Sequence, residues 1–278
     1  MVYGEPLALR RRGWLGALLC MRIASPICAL IIAAGPLYGG VRLLVREGRP
    51  IVDGVYVNDH GPYRFLLDTG TNMNLIESGL ARKIGMTKAF EEMVESAVGK
   101  TPMPGSDGNV VGLGDVRADR QRFQYADLDT IHMLWPDVHG VLGQWFLAGF
   151  DYKIDLRGKR LEFGRQEANG SRSPFRVQNG RTAVSTNLGD LVLDSGAPRL
   201  VLFGVAPRIG ELRDMLTVAG SKSVGMVARR LSIAGRDVWR GDAVAIPGQA
   251  EPGVAGLMPL SLFKSTYVCN SERYVVFE

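Results

Sequence analysis

The sequence predicts an all-β chain with short helices, built from two similar halves. Short apolar segments bounded by turn-forming residues recur between residues 50 and 278, and 35 of the 278 residues are Gly. Two short motifs, Asp68-Thr69-Gly70 and Asp194-Ser195-Gly196, have matching surroundings in the two halves. With 46% apolar and 22% charged residues, the chain can bury a core, which argues against disorder.

Residues 1–45 are predicted to form an N-terminal membrane segment. Arg10-Arg11-Arg12 precedes an apolar stretch, and after Arg22 an uncharged run of 19 residues extends from Ile23 to Val41. Such a run is long enough to cross a bilayer as a helix. We expect a signal anchor with the preceding arginines in the cytoplasm, or alternatively a cleaved signal peptide. Either case places the rest of the chain outside the cytoplasm, on the cell membrane or secreted; a buried core helix is disfavoured by the arginines.

The distribution of charge and cysteine excludes several classes of protein. Residues 1–50 carry seven Arg and two Glu, so the net charge of +5 lies there and the remainder is neutral. Nucleic-acid binding therefore loses its main support. Three Cys cannot supply a disulfide framework, and Cys269 is predicted to be a small buried side chain. The three His lack zinc-like spacing, so we expect neither metal nor cofactor.

The two motifs are parts of a longer repeat. Each has an apolar pair immediately before its Asp, another at +7 and +8, and an Arg at +14. Further along, Gly140-Val141-Leu142-Gly143 is matched with Gly253-Val254-Ala255-Gly256. Each half then ends in two strand-like segments, which are 152–155 with 161–163, and 267–269 with 275–277. An internal repeat of this kind indicates a duplicated fold.

The local patterns divide the chain into a segment 1–45, a first lobe 46–163, a linker 164–181 and a second lobe 182–278. In the first lobe, the turn formers of 58–61 predict a hairpin, and Glu77 to Ile84 is predicted to be a short helix that Gly85 ends. In the second lobe a short helix is expected near Val205–Ile209. The linker is predicted from its polar, Gly- and Pro-containing composition.

The paired motifs resemble those of aspartic proteases, and the first half is similar to bacterial retropepsin-like domains. The resemblance covers roughly residues 50–278 and is stronger in the first half. It implies a bilobal, pepsin-like fold in which two small β-barrel lobes meet, with a peptide-binding cleft between them. The expected activity is that of an endopeptidase acting on a polypeptide substrate, in a monomer whose two lobes pair within one chain.

The residues of both motifs suit this chemistry. Two carboxylates held close together cannot both ionise cheaply, so Asp68 and Asp194 would share one proton, activate a water and protonate the scissile carbonyl. Gly70 and Gly196 permit a tight backbone turn beside each carboxylate. The resemblance further implies that Thr69 and Ser195 reach across and lock the two loops together.

One difference between the motifs suggests unequal roles for the two carboxylates. Thr71 follows the first Gly, and its hydroxyl is expected to donate to Asp68 and favour the anion, whereas Ala197 at the matching place cannot. Asp194 is then the protonated member.

Other assignments stay open at this point. Segment Val98–Gly114 is either a flap or an ordinary surface loop, and Trp135 and Trp145 are expected in the core, while Trp239 stays undecided. The chain could alternatively be a catalytically silent peptide-binding module, or a structural envelope protein whose barrels dock partners.

Overall fold

Two β-barrels of the same topology, joined by a shared sheet, form the described part of the computed structural model, which comprises residues 40–96, 99–208, 212–217, 220–247 and 252–278. The elements of the first half are β1 Val41–Arg46, β2 Arg49–Val57, β3 His60–Leu67, β4 Leu75–Glu77, α1 Ser78–Lys83, β5 Phe90–Ser96, β6 Gly99–Leu113, β7 Val116–Ala126, α2 Asp129–Leu134, β8 Gly140–Leu142, α3 Gln144–Leu147, β9 Tyr152–Asp155 and β10 Arg160–Phe163. Those of the second half are β11 Ser171–Gln178, β12 Arg181–Thr186, β13 Gly189–Asp194, β14 Val201–Phe203, β15 Leu212–Thr217, β16 Gly220–Ile233, β17 Arg236–Ile246, β18 Gly256–Pro259, a 3₁₀ turn Leu260–Leu262, β19 Ser265–Cys269 and β20 Tyr274–Phe277.

Strand pairing in the first half closes a barrel. The order is β2-β3-β8-β4-β7-β6, and β6 returns to pair with β2. The second half repeats this as β12-β13-β18-β14-β17-β16, with β16 returning to β12. The parallel pairing of β3 with β8 in the first half recurs in the second half as the parallel pairing of β13 with β18. The duplication predicted from the motifs is therefore a duplication of topology.

A third sheet connects the barrels. Its order is β1-β10-β9-β19-β20-β11, with every pair antiparallel. The strand pairs predicted at the end of each half supply its four central strands. Because β9 pairs with β19 at the centre, the two halves contribute equivalent strands in mirrored order and share one continuous sheet.

Several local predictions are confirmed. The hairpin β2–β3 turns at Asn58 and Asp59, which both have positive φ (51° and 64°), as a two-residue turn between right-twisted strands requires. Helix α1 ends as predicted, since Gly85 follows it with φ 72° and its N–H reaches the Arg82 carbonyl. Cys269 is 1% exposed in β19.

The linker predicted for 164–181 is wrong, because residues 171–178 form β11. This strand pairs with β20 through Ser171–Pro174 and with β12 through Phe175–Gln178, so it belongs to two sheets. Ser173 and Phe175 are buried while their neighbours are exposed. The alternating burial explains the strand, and its polar outward residues explain why composition suggested a linker.

Two further boundaries differ from the predictions. Residues 205–208 are not helical, and Ile209 lies outside the described residues. Gly204 adopts φ 66°, and Pro207 disfavours helical geometry at the residue before it. At the N-terminus, residues 41–45 of the predicted membrane segment lie in β1, paired with β2 and β10.

The rest of that N-terminal segment, residues 1–39, lies outside the described residues. Among the helices of the described ranges, none combines the length and the hydropathy needed to span a bilayer.

Gly140 in β8 tests the close packing of the first barrel. A Cβ at this position would lie 2.5 Å from the Leu75 carbonyl oxygen and 2.6 Å from Cδ1 of Phe65. We expect Gly140→Ala to lower the free energy of unfolding by about 1–3 kcal/mol, measured by urea titration, because backbone and ring must both shift. Gly149→Ala is the control: its Cβ would approach no atom closer than 3.5 Å, and an equal loss in both variants would contradict the packing argument.

Candidate active site

The two motif aspartates lie at equivalent strand ends. Asp68 follows β3, and its N–H donates to the Leu142 carbonyl of the parallel neighbour β8 at 2.9 Å. Asp194 ends β13 and is in register with Pro259 of the parallel neighbour β18. Each carboxyl group therefore leaves a strand that is fixed by a parallel partner within its own barrel.

This register corrects one part of the predicted repeat. Gly140 of β8 is opposite Phe65 of β3, and Gly256 of β18 is opposite Leu191 of β13. Since Phe65 and Leu191 both precede their Asp by three residues, Gly140 is equivalent to Gly256. The sequence match of Gly140 with Gly253 was wrong by three residues, because the Gly-apolar-apolar pattern occurs at both places.

Four hydrogen bonds lock the two motif loops together. The Thr69 hydroxyl donates to the Leu193 carbonyl (2.8 Å) and accepts the Ser195 N–H (3.0 Å). Reciprocally, the Ser195 hydroxyl donates to the Leu67 carbonyl (2.6 Å) and accepts the Thr69 N–H (3.0 Å). Thr69 is 0% and Ser195 1% exposed. Each hydroxyl is both donor and acceptor, so this buried network is fully satisfied and fixes the spacing of the loops.

The motif glycines allow the two carboxyl groups to meet. A Cβ at Gly70 would lie 2.6 Å from Oδ2 of Asp194, and one at Gly196 would lie 2.8 Å from Oδ2 of Asp68. The two carboxyl groups are close enough for each to change the pKa of the other. Neither glycine could be replaced by a residue with a Cβ unless the opposite carboxyl group moved.

Burial and mutual contact change the pKa of both groups. Desolvation raises the pKa of Asp68, but the Gly70 N–H (2.9 Å), the proton of Asp194 and the charge of Arg181 counteract it. Desolvation and the charge of Asp68 raise the pKa of Asp194 well above its usual value, although the Ala197 N–H donates to it (2.8 Å). The arrangement therefore favours an anionic Asp68 beside a protonated Asp194.

This is the assignment expected from the sequence, but its cause is different. Among the described residues the hydroxyl of Thr71 has no hydrogen bond to Asp68; it accepts the Met73 N–H at 3.4 Å. Ala197, expected to contribute nothing, supplies a backbone donor to Asp194. Since each carboxyl group accepts a backbone N–H, the asymmetry arises from the charge of Arg181 near Asp68 and from the charge of Asp68 near Asp194, not from Thr71.

Two arginines, neither of them predicted from the sequence, lie at the site. Arg49 is the first residue of β2, and its Nε donates to the Gly196 carbonyl at 2.8 Å. Arg181 is the first residue of β12, and its Nη1 donates to the Gly70 carbonyl at 3.3 Å. Each guanidinium thus holds the motif of the other half. The number of residues between the arginine and the motif Asp differs in the two halves, because the β2–β3 hairpin is longer than the β12–β13 hairpin. The repeat pattern therefore does not reveal these arginines.

Other predicted residues have the following places. Segment Val98–Gly114 lies in β6 from Gly99 to Leu113, paired with β5, so it is a hairpin strand rather than a loop; Val98 lies outside the described residues. Trp135 is 5% exposed beneath Arg49, whose guanidinium is 5.2 Å from the ring. Trp145 is half-buried under Arg122, and Trp239 packs against the core. In the described ranges no group of three or more His, Cys, Asp or Glu could hold a metal ion.

Comparison with known proteins gives one family match and similar solved structures. Residues 54–146 match the family model for aspartyl proteases. The fold is similar to the aspartic proteinase from Irpex lacteus, with TM-score 0.50 and 12% identity over 85% of this chain and 96% of that chain. A retropepsin-like aspartic protease from Rickettsia conorii matches with TM-score 0.35 and 20% identity over 45% of this chain and 89% of that chain. No curated protein matches. The resemblance to aspartic proteases is confirmed by the family match over residues 54–146 and by the fold.

Thr69 tests the lock between the loops. We expect Thr69→Val to lower the free energy of unfolding by about 2–4 kcal/mol, because it leaves the Leu193 carbonyl and the Ser195 N–H unpaired in a buried place. Thr69→Ser, which keeps the hydroxyl, should retain most of the stability. Equal losses in the two variants, measured by urea titration, would show that shape and not hydrogen bonding matters here.

A substitution of Asp194 tests, through the pH dependence of thermal stability, whether this group is the protonated one. A carboxyl group whose pKa rises on folding holds its proton more tightly in the folded chain, so stability falls as pH rises from the unfolded value near 4. Asn mimics the protonated form, so we expect Asp194→Asn to melt higher than the parent chain at pH 7, with the difference shrinking towards pH 4. The exposed Asp119→Asn is the control. A constant difference across this pH range would contradict the assignment.

Proposed function

We propose that this chain is an aspartic endopeptidase that hydrolyses peptide bonds with Asp68 and Asp194. The observation that carries the proposal is the convergence of two carboxyl groups, one from each half of a duplicated fold, each of which lies against the motif glycine of the opposite half. Fold alone would not suffice, because one fold can host many functions. A pair with one proton between two acids provides both a base and an acid at one place.

The proposed reaction uses the unequal pair directly. Anionic Asp68 takes a proton from a water, whose oxygen attacks the carbonyl carbon of the scissile peptide bond. Protonated Asp194 gives its proton to the carbonyl oxygen, which yields a neutral tetrahedral diol. The proton that Asp68 has received then passes to the amide nitrogen as the C–N bond breaks, and the second diol proton returns to Asp194. Water is consumed, a carboxyl and an amine product form, and the pair recovers its single shared proton.

The geometry supports this assignment of roles because every supporting group is fixed before substrate arrives. The hydrogen bonds between Thr69 and Ser195 fix the separation of the carboxyl groups. The backbone N–H groups of Gly70 and Ala197 fix the orientation of these groups. Arg49 and Arg181 hold the adjacent glycine carbonyls from the opposite half. Such preorganisation is what general acid–base chemistry requires.

A catalytically silent peptide-binding module with the same fold is the second candidate. It differs from the first only in the absence of bond cleavage.

We also propose a location and an assembly state. The apolar run after Arg22 supports an anchor or signal that places the protease outside the cytoplasm. Because each half supplies one carboxyl group within a single chain, a monomer suffices for the pair.

Substitution of the two aspartates separates the two candidate functions. We expect Asp68→Asn and Asp194→Asn each to lower kcat for a fluorogenic peptide mixture by about 10²–10⁴-fold, because each removes one proton-transfer group. Asp119→Asn should keep the parent rate. Both active-site variants should still bind a peptide isostere that carries a hydroxyl in place of the scissile carbonyl.

A folded parent chain that binds this isostere and cleaves no peptide between pH 3 and 8 would assign the silent module. Cleavage that survives both substitutions would exclude these residues.

A further inference from the structure

Gln124 in β7 is a buried amide without a partner. The residue is 0% exposed, and neither its Oε1 nor its Nε2 has a hydrogen-bond partner within the part of the chain that the structure describes. Buried amide groups are almost always hydrogen-bonded, because burying them unpaired is unfavourable. A side chain with both ends unsatisfied therefore needs an explanation.

The register of the barrel places Gln124 on the face that carries Asp68. Side chains alternate along a strand, so Leu66 and Asp68 share one face of β3. Leu66 is in register with Val141, Val141 with Leu75, and Leu75 with Gln124. Phe123, the neighbour of Gln124, belongs to the core on the other face. The amide thus lies across the sheet from the carboxyl group, on the same side.

This face is apolar around the amide. Leu66, Leu75 and Val141 belong to a larger buried cluster, against which Met73 and Met103 pack with part of their surface exposed. Met73 follows Asp68 by five residues, and Met103 comes from the β5–β6 hairpin. Met side chains are unbranched and adapt to a bound group.

Phe90 and Arg122 bound the region on the hairpin side. The Phe90 ring lies over Gly105, the residue opposite Gln124 in β6, so closely that a Cβ there would lie 2.6 Å from ring atom Cε2. The guanidinium of Arg122 lies 4.2 Å from the centre of this ring and bonds to Glu92 and Asp107. Arg122 is thus engaged with its own neighbours, and Gln124 is the polar group left for a ligand.

The second half shows that the barrel itself does not need this amide. Leu75 is equivalent to Val201, since each follows its motif Asp by seven residues, and Val201 is in register with Val244. Val244 therefore occupies the place of Gln124, and it is buried in an apolar cluster. The polar group is present in one half only.

We propose that Gln124 determines specificity by hydrogen-bonding a substrate side chain that carries a carboxamide, Asn or Gln, on the Asp68 side of the cleft. The inference rests on the proposed peptidase function. An amide offers one acceptor and two donor hydrogens, so a second carboxamide can pair with it through two reciprocal hydrogen bonds. An apolar side chain of the same size would leave both ends of Gln124 unpaired, and such sites discriminate strongly.

The experiment compares cleavage of a randomised peptide library by the parent chain, Gln124→Met and Gln124→Val. Met keeps the length of the side chain without its hydrogen bonds, and Val is the residue of the second half. We expect the parent to prefer Asn or Gln over Leu at one substrate position, and the ratio of kcat/KM values to fall about 10- to 100-fold in both variants. Cleavage of peptides with Leu there should persist. Val244→Met is the matched control and should leave the preference at this position unchanged.

A second arm separates failure of this inference from failure of the proposed function. The dissociation constants of two peptides, which differ only by Asn or Leu at the selected position, are measured for Asp68→Asn and for the double variant Asp68→Asn with Gln124→Met. If the parent chain cleaves no peptide and no position has been selected, the Asn and Leu peptides are compared at each position in turn. Loss of the Asn preference in the double variant supports the inference even if the parent is silent. No carboxamide preference in the parent, or one that persists without Gln124 in variants whose melting curves show a folded chain, overturns it.

Discussion

The reciprocal hydrogen bonds between Thr69 and Ser195 are the constraint on which the rest of the site depends. Each barrel can form its own strands, but this buried contact, supported by Arg49 and Arg181, fixes one motif loop against the other. With the loops fixed, the absence of a side chain at Gly70 and Gly196 lets each carboxyl group occupy the space beside the opposite loop. The effect of each carboxyl group on the pKa of the other follows from that contact.

Much of this arrangement was predictable from the sequence because it depends on local chemistry repeated twice. The motif residues, the apolar pairs around them and the strand pairs at the end of each half mark the same strands in both barrels. The β2–β3 hairpin was predictable from Asn58 and Asp59, and the end of α1 from Gly85. These are short-range signals, in which the residue type itself requires the backbone geometry.

Features that depend on long-range pairing were not predictable in this way. Strand β11 appeared to be a linker because only its partners β20 and β12 explain why Ser173 and Phe175 are buried. The contact of Arg49 with Gly196 spans 147 positions of the chain, and Gln124 lies opposite Leu75 and Gly105 of two other strands. Nothing local distinguishes such an arginine or glutamine from one on the surface, so only the folded chain reveals them.

The most direct test of the account is to follow the two carboxyl groups themselves by NMR, with ¹³C-labelled aspartate and assignment through the Asn variants. We predict that the Asp68 and Asp194 resonances titrate together in two separate steps, that Asp194 keeps its proton well above the ordinary carboxyl range, and that Asp68→Asn changes its titration. Two independent titrations near pH 4, each unaffected by removal of the other group, would show that the carboxyl groups do not form one site.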